Sequence, residues 1–164
     1  MRWLVALAAA TFVQLAAAEA PKVAVVDMER ALFLSEPAKA SHVQFEKDNK
    51  NDIDKLKDLQ QTLLKIKEKM DKEGDVMSEE ERRKQANAFE ETNTEYKFYG
   101  RKLQQAEQKW KQDFFQTQLP EVEKSLKAII DQGGYDVVLQ AGAVVYSAPQ
   151  ADLTKLLLER LNSK

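Results

Sequence analysis

The chain has 164 residues, no cysteine, and a formal net charge of −2, although 32% of its residues are charged. The length fits one domain, and the lack of cysteine excludes disulfides, thiol catalysis and thiolate metal sites. A charge so close to zero gives no reason to expect nucleic acid as a partner.

The first residues have the pattern of an export signal. Arg2 gives a positive start, an apolar run continues to about Leu15, and small residues stand before the bond after Ala18. We therefore predict a signal peptide over residues 1–18, with cleavage after Ala20 as the alternative. A retained membrane anchor is disfavoured because the run is shorter than the roughly 20 residues that a spanning helix needs.

The mature chain begins with a short strand and a short helix. The β-branched run from Lys22 to Asp27 predicts a buried strand, and residues 28–34 have a brief helical pattern. A break is expected near Ser35, because serine caps helices and Pro37 is tolerated in the first turn of the next one.

Two long, charged helices are predicted over residues 38–119. Between Glu46 and Lys111 there are 16 acidic and 16 basic residues, and the two signs are interspersed along the segment, as on solvated helices with many ion pairs. Apolar residues at heptad spacing form one strong seam and one interrupted seam. The strong seam consists of Leu56, Leu59, Leu63, Ile66 and Met70, and the interrupted one of Ala86, Phe89, Asn93, Tyr96, Gly100, Leu103, Glu107, Trp110 and Phe114.

The two helices are predicted to be joined by a turn at residues 74–78. Gly74 is expected to end the first helix in a left-handed conformation, and Ser78 with Glu81 has the spacing of a capping box. The resulting antiparallel hairpin would be an arm roughly 50 Å long, at 1.5 Å per residue.

A small body is predicted from the remaining residues. The returning helix, with a kink expected at Pro120, should stop at Gly133-Gly134, and residues 135–139 and 143–146 should form a strand hairpin. Leucines at 153, 156, 157 and 161 follow one face of a final helix. Because so small a core is marginal without disulfides or metal, we expect oligomerisation.

Three stretches resemble the Skp/OmpH family of periplasmic chaperones. KVAVVDMERALFLSEPAKA (22–40) is similar to the family's first strand and helix, and MSEEERRK (77–84) to the turn at its arm tip. YDVVLQAGAVVYSAPQADLTKLLLERLN (135–162) is similar to its C-terminal strands and helix, including the helix start Asp152-Leu153-Thr154. Together with the order of the elements, these stretches extend the resemblance over the whole mature chain.

The resemblance implies a mainly α fold with a small β body. A homotrimer would share a β-barrel-like body built from residues 19–37 and 120–164, and three arms (38–119) would enclose a cavity in the periplasm. Unfolded outer-membrane β-barrel proteins would be held there without ATP. Members of the family are usually basic, whereas this chain has a sequence pI near 5.6, which weakens electrostatic capture of clients or anionic lipid.

Three groups of candidate site residues follow. The trimer core is predicted to comprise Val23, Val25, Val137, Leu139, Val144 and Tyr146. Client contacts are predicted at Met70, Val76, Met77, Phe98 and Tyr99. Lipopolysaccharide or an anionic membrane surface is the ligand that the resemblance implies for Lys72, Arg82 and Arg83, with a solvated tip in which the arginines pair with Glu79 and Glu80 as the alternative.

An enzyme is not expected. The only histidine is His42, the sequence has no recognisable nucleophile motif, and the acidic run at 71–75 lacks the positions of a calcium loop. We therefore predict no cofactor, no metal and no catalytic residue. The main alternative to a chaperone is an envelope coiled-coil spacer or adaptor that binds one folded partner; an envelope-processing enzyme would need a catalytic constellation that is not visible.

Overall fold

A computed structural model of the chain describes residues 20–163, so the predicted leader lies outside the described residues. Two short strands and five helices follow one another, with single 3-10 turns at Ala141–Ala143 and Pro149–Ala151. The elements are β1 (Val23–Val26), α1 (Met28–Phe33), α2 (Glu36–Asp48), α3 (Lys50–Glu73), α4 (Glu79–Gly133), β2 (Val137–Gln140) and α5 (Thr154–Asn162). No helix within residues 20–163 combines the length and apolarity needed to cross a membrane.

Side-chain caps start the helices where the sequence predicted them. Ser35 accepts a hydrogen bond from the Ala38 N–H at the start of α2. Ser78 and Glu81 form a complete capping box at the start of α4, and the hydrogen bonds from Ser78 lower the pKa of the Glu81 carboxyl. Each cap satisfies backbone N–H groups that have no partner inside the helix, so these boundaries are fixed locally.

The arm is an antiparallel pair of α3 and α4. Ion pairs across it join Asp52 to Lys102 at 2.7 Å and Lys55 to Glu95 at 3.1 Å, so residues later in α3 lie beside residues earlier in α4. The first arm helix is interrupted at Asn49, whose side chain donates to the Phe45 carbonyl at 2.8 Å. Such side-chain bonds compete with the helical ladder, which explains a break that the sequence pattern did not predict.

One helix end differs from the prediction, while the predicted stop of the returning helix at Gly133-Gly134 is confirmed. Gly74 has φ −56°, in the right-handed region, and the left-handed cap is instead Gly134, at the end of α4. A side chain at Gly74 would bring Cβ within 2.4 Å of the Met70 carbonyl oxygen, so glycine is needed there for close approach. Helix α4 continues through Pro120 to Gly133.

The sheet of the described chain has two strands, not three. β1 and β2 are parallel, with Val23 opposite Val137 and Val25 opposite Leu139. The predicted hairpin to residues 143–146 does not form, because the link takes a 3-10 turn in which the Val144 N–H donates to the Ala141 carbonyl. β2 therefore pairs with the first strand of the chain.

The core lies between one face of this sheet and the helices. From β1, Ala24 and Val26 point into it, and Leu32 and Leu157 are among its fully buried side chains. The remaining buried members are Ala31, Val122, Ile129, Leu153 and Leu161. This cluster of nine buried residues is a small core, and small cores are usually marginal alone, so the expectation of oligomerisation stays a prediction.

The segment Asp152-Leu153-Thr154 fastens α5 to the end of β1. The Leu153 N–H donates to the Val25 carbonyl at 2.8 Å, and the Asp27 N–H donates to Thr154 Oγ1 at 2.9 Å. Asp152 Oδ1 in turn accepts from the Thr154 N–H at 2.9 Å. The family-like helix start is therefore a structural connection between the two ends of the body.

The stability of the body should depend on pH through Asp152. Hydrogen bonds from Thr154 lower the pKa of this carboxyl below its usual value, so the ionised form favours folding. We expect Asp152→Asn to lower the thermal midpoint at pH 7. The difference from the wild type should disappear as the pH falls below about 3.9 and through the lowered pKa. Thermal unfolding of both proteins at pH 7 and pH 3 checks this, and an equal difference at both pH values would contradict it.

Candidate functional site

One face of the small sheet is apolar and only partly covered. Because of the parallel register, Val23, Val25, Val137 and Leu139 share the face opposite the core. Val25 is only 5% exposed, so it is buried by its own chain, whereas Leu139 is 42% exposed and Val23 and Val137 are similarly open. Three of these four predicted trimer-core residues thus leave apolar surface available in the single chain.

The chain beyond β2 adds to this uncovered apolar surface. Val144 has an extended backbone and is partly buried, and Tyr146 is 81% exposed. Val145, which the sequence analysis did not single out, is fully exposed. Apolar residues exposed in such density in a small body are typical of a surface that is covered by another chain.

On the arm, Phe98 and Tyr99 have different environments. Tyr99 is half-buried, and its ring lies 5.8 Å from Lys102 Nζ. This ammonium donates a hydrogen bond to the Asp52 carboxylate of α3. That hydrogen bond raises the pKa of Lys102, so the ammonium is retained beside the ring. Phe98 packs edge-to-face on Tyr99 at 5.3 Å and is still 56% exposed. Phe98 is therefore the better placed of the two to contact another molecule.

Two of the three predicted basic residues at the arm tip, Lys72 and Arg82, already have partners within the chain. Lys72 Nζ pairs with Glu68 at 2.6 Å, and Arg82 donates to the Gly74 carbonyl at 2.8 Å. The arginine therefore caps the end of α3 and does not make the expected ion pair, while Arg83 is exposed. Residues 68–84 include five basic and seven acidic residues, 5 − 7 = −2, so the tip as a whole is negative.

A groove that the sequence did not predict lies between α3 and α4 near the tip. This tip groove has a volume of about 550 Å³ and is open to solvent; it is lined by Lys67, Met70, Asp71, Ala86, Phe89, Glu90 and Asn93. Met70 was predicted as a client contact, and Phe89 was assigned only to the seam. Val76 is highly exposed and Met77 is partly buried; both lie in the turn beyond the groove.

Two further features were missed. Leu64, beside the seam residue Leu63, is strongly exposed, and a Leu-Leu pair in a heptad is a signal that one leucine points outward. An aromatic cluster joins the arm to the body, centred on Trp110, which donates to Ser41 Oγ at 2.9 Å. The other rings of this root cluster are Phe33, His42, Phe45 and Phe114.

His42 is thus an aromatic neighbour of Trp110, 5.1 Å away, with Glu46 3.8 Å from its Nδ1. Among residues 20–163, groups of three or more His, Asp or Glu side chains that could hold a metal ion do not occur. The surfaces that could bind another molecule are therefore the exposed apolar residues on the charged arm and those on the small body.

Comparison with known proteins identifies this arrangement. A family model described as outer membrane protein (OmpH-like) matches residues 22–161. The chain belongs to the Skp/OmpH family. This family of outer-membrane chaperones is not a class of enzymes.

Relatives of known sequence and structure agree with that membership. The Skp-like protein of Pseudomonas aeruginosa is 30% identical over 141 residues, covering 86% of this chain and 84% of the relative. The chaperone protein Skp of Yersinia enterocolitica is 23% identical, with 89% of each chain covered. The solved structure of an OmpH-like outer membrane chaperone of Caulobacter crescentus has a TM-score of 0.51 at 16% identity, covering 88% of this chain and 85% of that chain. The likeness to the Caulobacter crescentus structure supports the fold described above.

Proposed function

We propose that this protein is an ATP-independent holdase chaperone of the periplasm, which binds unfolded outer-membrane β-barrel proteins between helical arms and prevents their aggregation. A cleavable leader over residues 1–18 would deliver it there. The chain would work as a homotrimer. The observation that carries the proposal is the arm itself, a long hairpin with apolar side chains that its own partner helix does not cover.

The arm suits a variable, unfolded client better than a single folded partner. Phe98 and Leu64 are exposed along it, and Val76 is exposed at its end. Between these residues the surface is charged, so the apolar contacts are separated and do not form one continuous patch. Separated contacts can be met in many combinations by an extended chain, whereas a folded partner is typically bound through a central, contiguous cluster.

The open face of the sheet supports assembly. A sheet of two short strands is marginal alone, and the partly exposed face of Val23, Val137 and Leu139 would be buried if several copies packed around one axis. The exposed segment with Val145 and Tyr146 would supply further apolar contact. A shared body would also hold the arms of several chains around one space.

Lipopolysaccharide or an anionic membrane surface is a less favoured partner. A phosphate would have to displace Glu68 from Lys72 and the Gly74 carbonyl from Arg82. It would also approach a tip whose net charge over residues 68–84 is −2. The prediction for Lys72, Arg82 and Arg83 stays a prediction, and the charge balance favours polypeptide clients.

The test of the holdase proposal is native mass spectrometry of residues 19–164, alone and after dilution with a urea-denatured outer-membrane porin. A trimer that takes up one porin chain and keeps it soluble is expected. Phe98→Ala should weaken porin binding by about tenfold, because burying a phenylalanine contributes on the order of 1.5 kcal/mol or more. Gln105→Ala, an exposed change on the same helix, is the matched control.

The same experiment separates the alternative function. A spacer or adaptor would form its oligomer and leave the denatured porin to aggregate, and Phe98→Ala would then have no effect. A monomer or dimer that ignores the porin would contradict the proposal and direct attention to folded envelope partners.

A further inference from the structure

The tip groove lies along the flank of the seam between α3 and α4. On α4, the partly buried positions near the tip include Gln85, Ala88 and Thr92. Ala86 and Phe89 are exposed, so they lie on the flank of the seam and line the groove there. Opposite them, Met70 is only partly buried, and Phe89 is 36% exposed. Both apolar side chains are therefore accessible from solvent beside the seam.

The apolar lining has a chemical preference. A methionine thioether makes favourable contacts with aromatic rings, and its unbranched chain adapts to rings of different size. A phenylalanine ring favours a second ring in an offset or edge-to-face arrangement. Met70 and Phe89 line the same groove, so its apolar part is better matched to an aromatic side chain than to an aliphatic one.

The polar lining matches an exposed polypeptide backbone. Asp71 and Glu90 offer carboxylate acceptors for N–H groups, while Lys67 and Asn93 offer donors for carbonyl oxygens. An unfolded segment presents both kinds of group at every residue. The ionised groups sum to +1 − 2 = −1, which disfavours an anionic head group in the same place.

We infer that the tip groove binds an aromatic side chain of an extended, non-native segment of the client. This inference rests on the proposed holdase function and deepens it. Transmembrane β-barrels carry girdles of aromatic residues at both membrane interfaces, so an unfolded barrel offers such side chains repeatedly. The groove would then select clients by aromatic content, through a site on each arm.

Methionine-methyl NMR of residues 19–164 tests the inference directly. This stretch has three methionines, Met28, Met70 and Met77, so each methyl signal can be assigned by substitution. The probe is a short uncharged peptide of alternating serine and phenylalanine, and its counterpart has leucine in place of phenylalanine. We expect the phenylalanine peptide to move the Met70 signal upfield by ring current while the Met28 signal stays in place.

Two substitutions locate the binding. Ala86→Leu should fill the groove and weaken binding of the phenylalanine peptide by about tenfold, whereas Asn87→Leu, on the neighbouring exposed position, should change it by less than about twofold. Phe89→Leu keeps an apolar residue in the groove and removes the ring, and should weaken binding by about threefold. If Ala86→Leu does not fold, Phe89→Leu alone tests whether the phenylalanine peptide binds in the tip groove.

Equal responses to the leucine and phenylalanine peptides, or unchanged binding by both Ala86→Leu and Phe89→Leu, would overturn the inference. If the protein keeps denatured porin soluble while the Met70 signal does not respond, the groove assignment is wrong and the holdase function stands. If the Met70 signal responds and porin still aggregates, the groove binds aromatic side chains but the holdase proposal fails.

Discussion

Leu139→Asp is expected to convert the assembled protein into monomers while leaving the fold of each chain largely intact. Leu139 is 42% exposed in the single chain, so an aspartate there can remain hydrated. In an assembly that covers this face, the same carboxylate would be buried in every copy without a partner, which costs several kcal/mol per charge. Native mass spectrometry gives the oligomeric state, and circular dichroism gives the helix content.

Val25→Asp should behave differently, although Val25 is the strand partner of Leu139. Its side chain is already buried by its own chain, at 5% exposure, so an aspartate there should unfold the body whether or not the chain assembles. Gln61→Asp, which adds the same charge on the exposed surface of the arm, is the control and should change neither property.

This pair of variants separates self-association from folding. The prediction for the open face is contradicted if Leu139→Asp keeps the mass and the thermal transition of the wild type. If Leu139→Asp unfolds the body as thoroughly as Val25→Asp does, the face of the sheet is needed for folding, and the two processes are coupled.

Features set by neighbouring residues could be predicted from the sequence. The starts of α2 and α4 follow from Ser35 and from the Ser78–Glu81 pair, because a cap needs only the residues of one turn. The first strand, the short α1 and the final helix follow in the same way from local apolar patterns. The heptads likewise predicted which helices form the arm.

Features set by distant residues could not be predicted. β2 pairs with β1, more than a hundred positions earlier, and an apolar run contains no information about its partner strand. Because the link between residues 135–139 and 143–146 is short, the sequence favoured a hairpin of these two runs, and that hairpin does not form. The tip groove was missed for a related reason. Heptad spacing predicted Ala86 and Phe89 as seam positions, but both are exposed. The partly buried residues of this part of α4 are instead their neighbours Gln85 and Ala88.

We expect the helical arm to depend on its root more than on its interrupted seam. Asn93 and Gly100 interrupt the apolar seam of α4. The ion pairs of Asp52 with Lys102 and of Lys55 with Glu95 each include a largely exposed side chain, so water and salt screen them. At the root, by contrast, aromatic rings from α1, α2 and α4 pack together around Trp110. The angle between arm and body should therefore be fixed there.

Trp110→Ala is expected to release the arm from the body. The substitution removes ring contacts at 5.7 Å with Phe45 and 6.0 Å with Phe33, together with the hydrogen bond to Ser41, and should lower the free energy of unfolding by about 3 kcal/mol. Hydrogen exchange should accelerate in α2 and the adjoining part of α4, while β1 and β2 remain protected. Trp110→Phe, which keeps a ring and loses the hydrogen bond, should cost about 1 kcal/mol.

Measurements on Trp110→Ala can show whether the root cluster sets the position of the arm or only stabilises the arm. If the root sets the opening between arms, Trp110→Ala should still assemble and bind denatured porin, but with a broader distribution of arm positions in small-angle X-ray scattering. Unchanged scattering, together with unchanged exchange in α2, would show that the arm is held by the α3–α4 seam after all. Since that seam is interrupted by Asn93 and Gly100, we expect the root to be the stronger constraint.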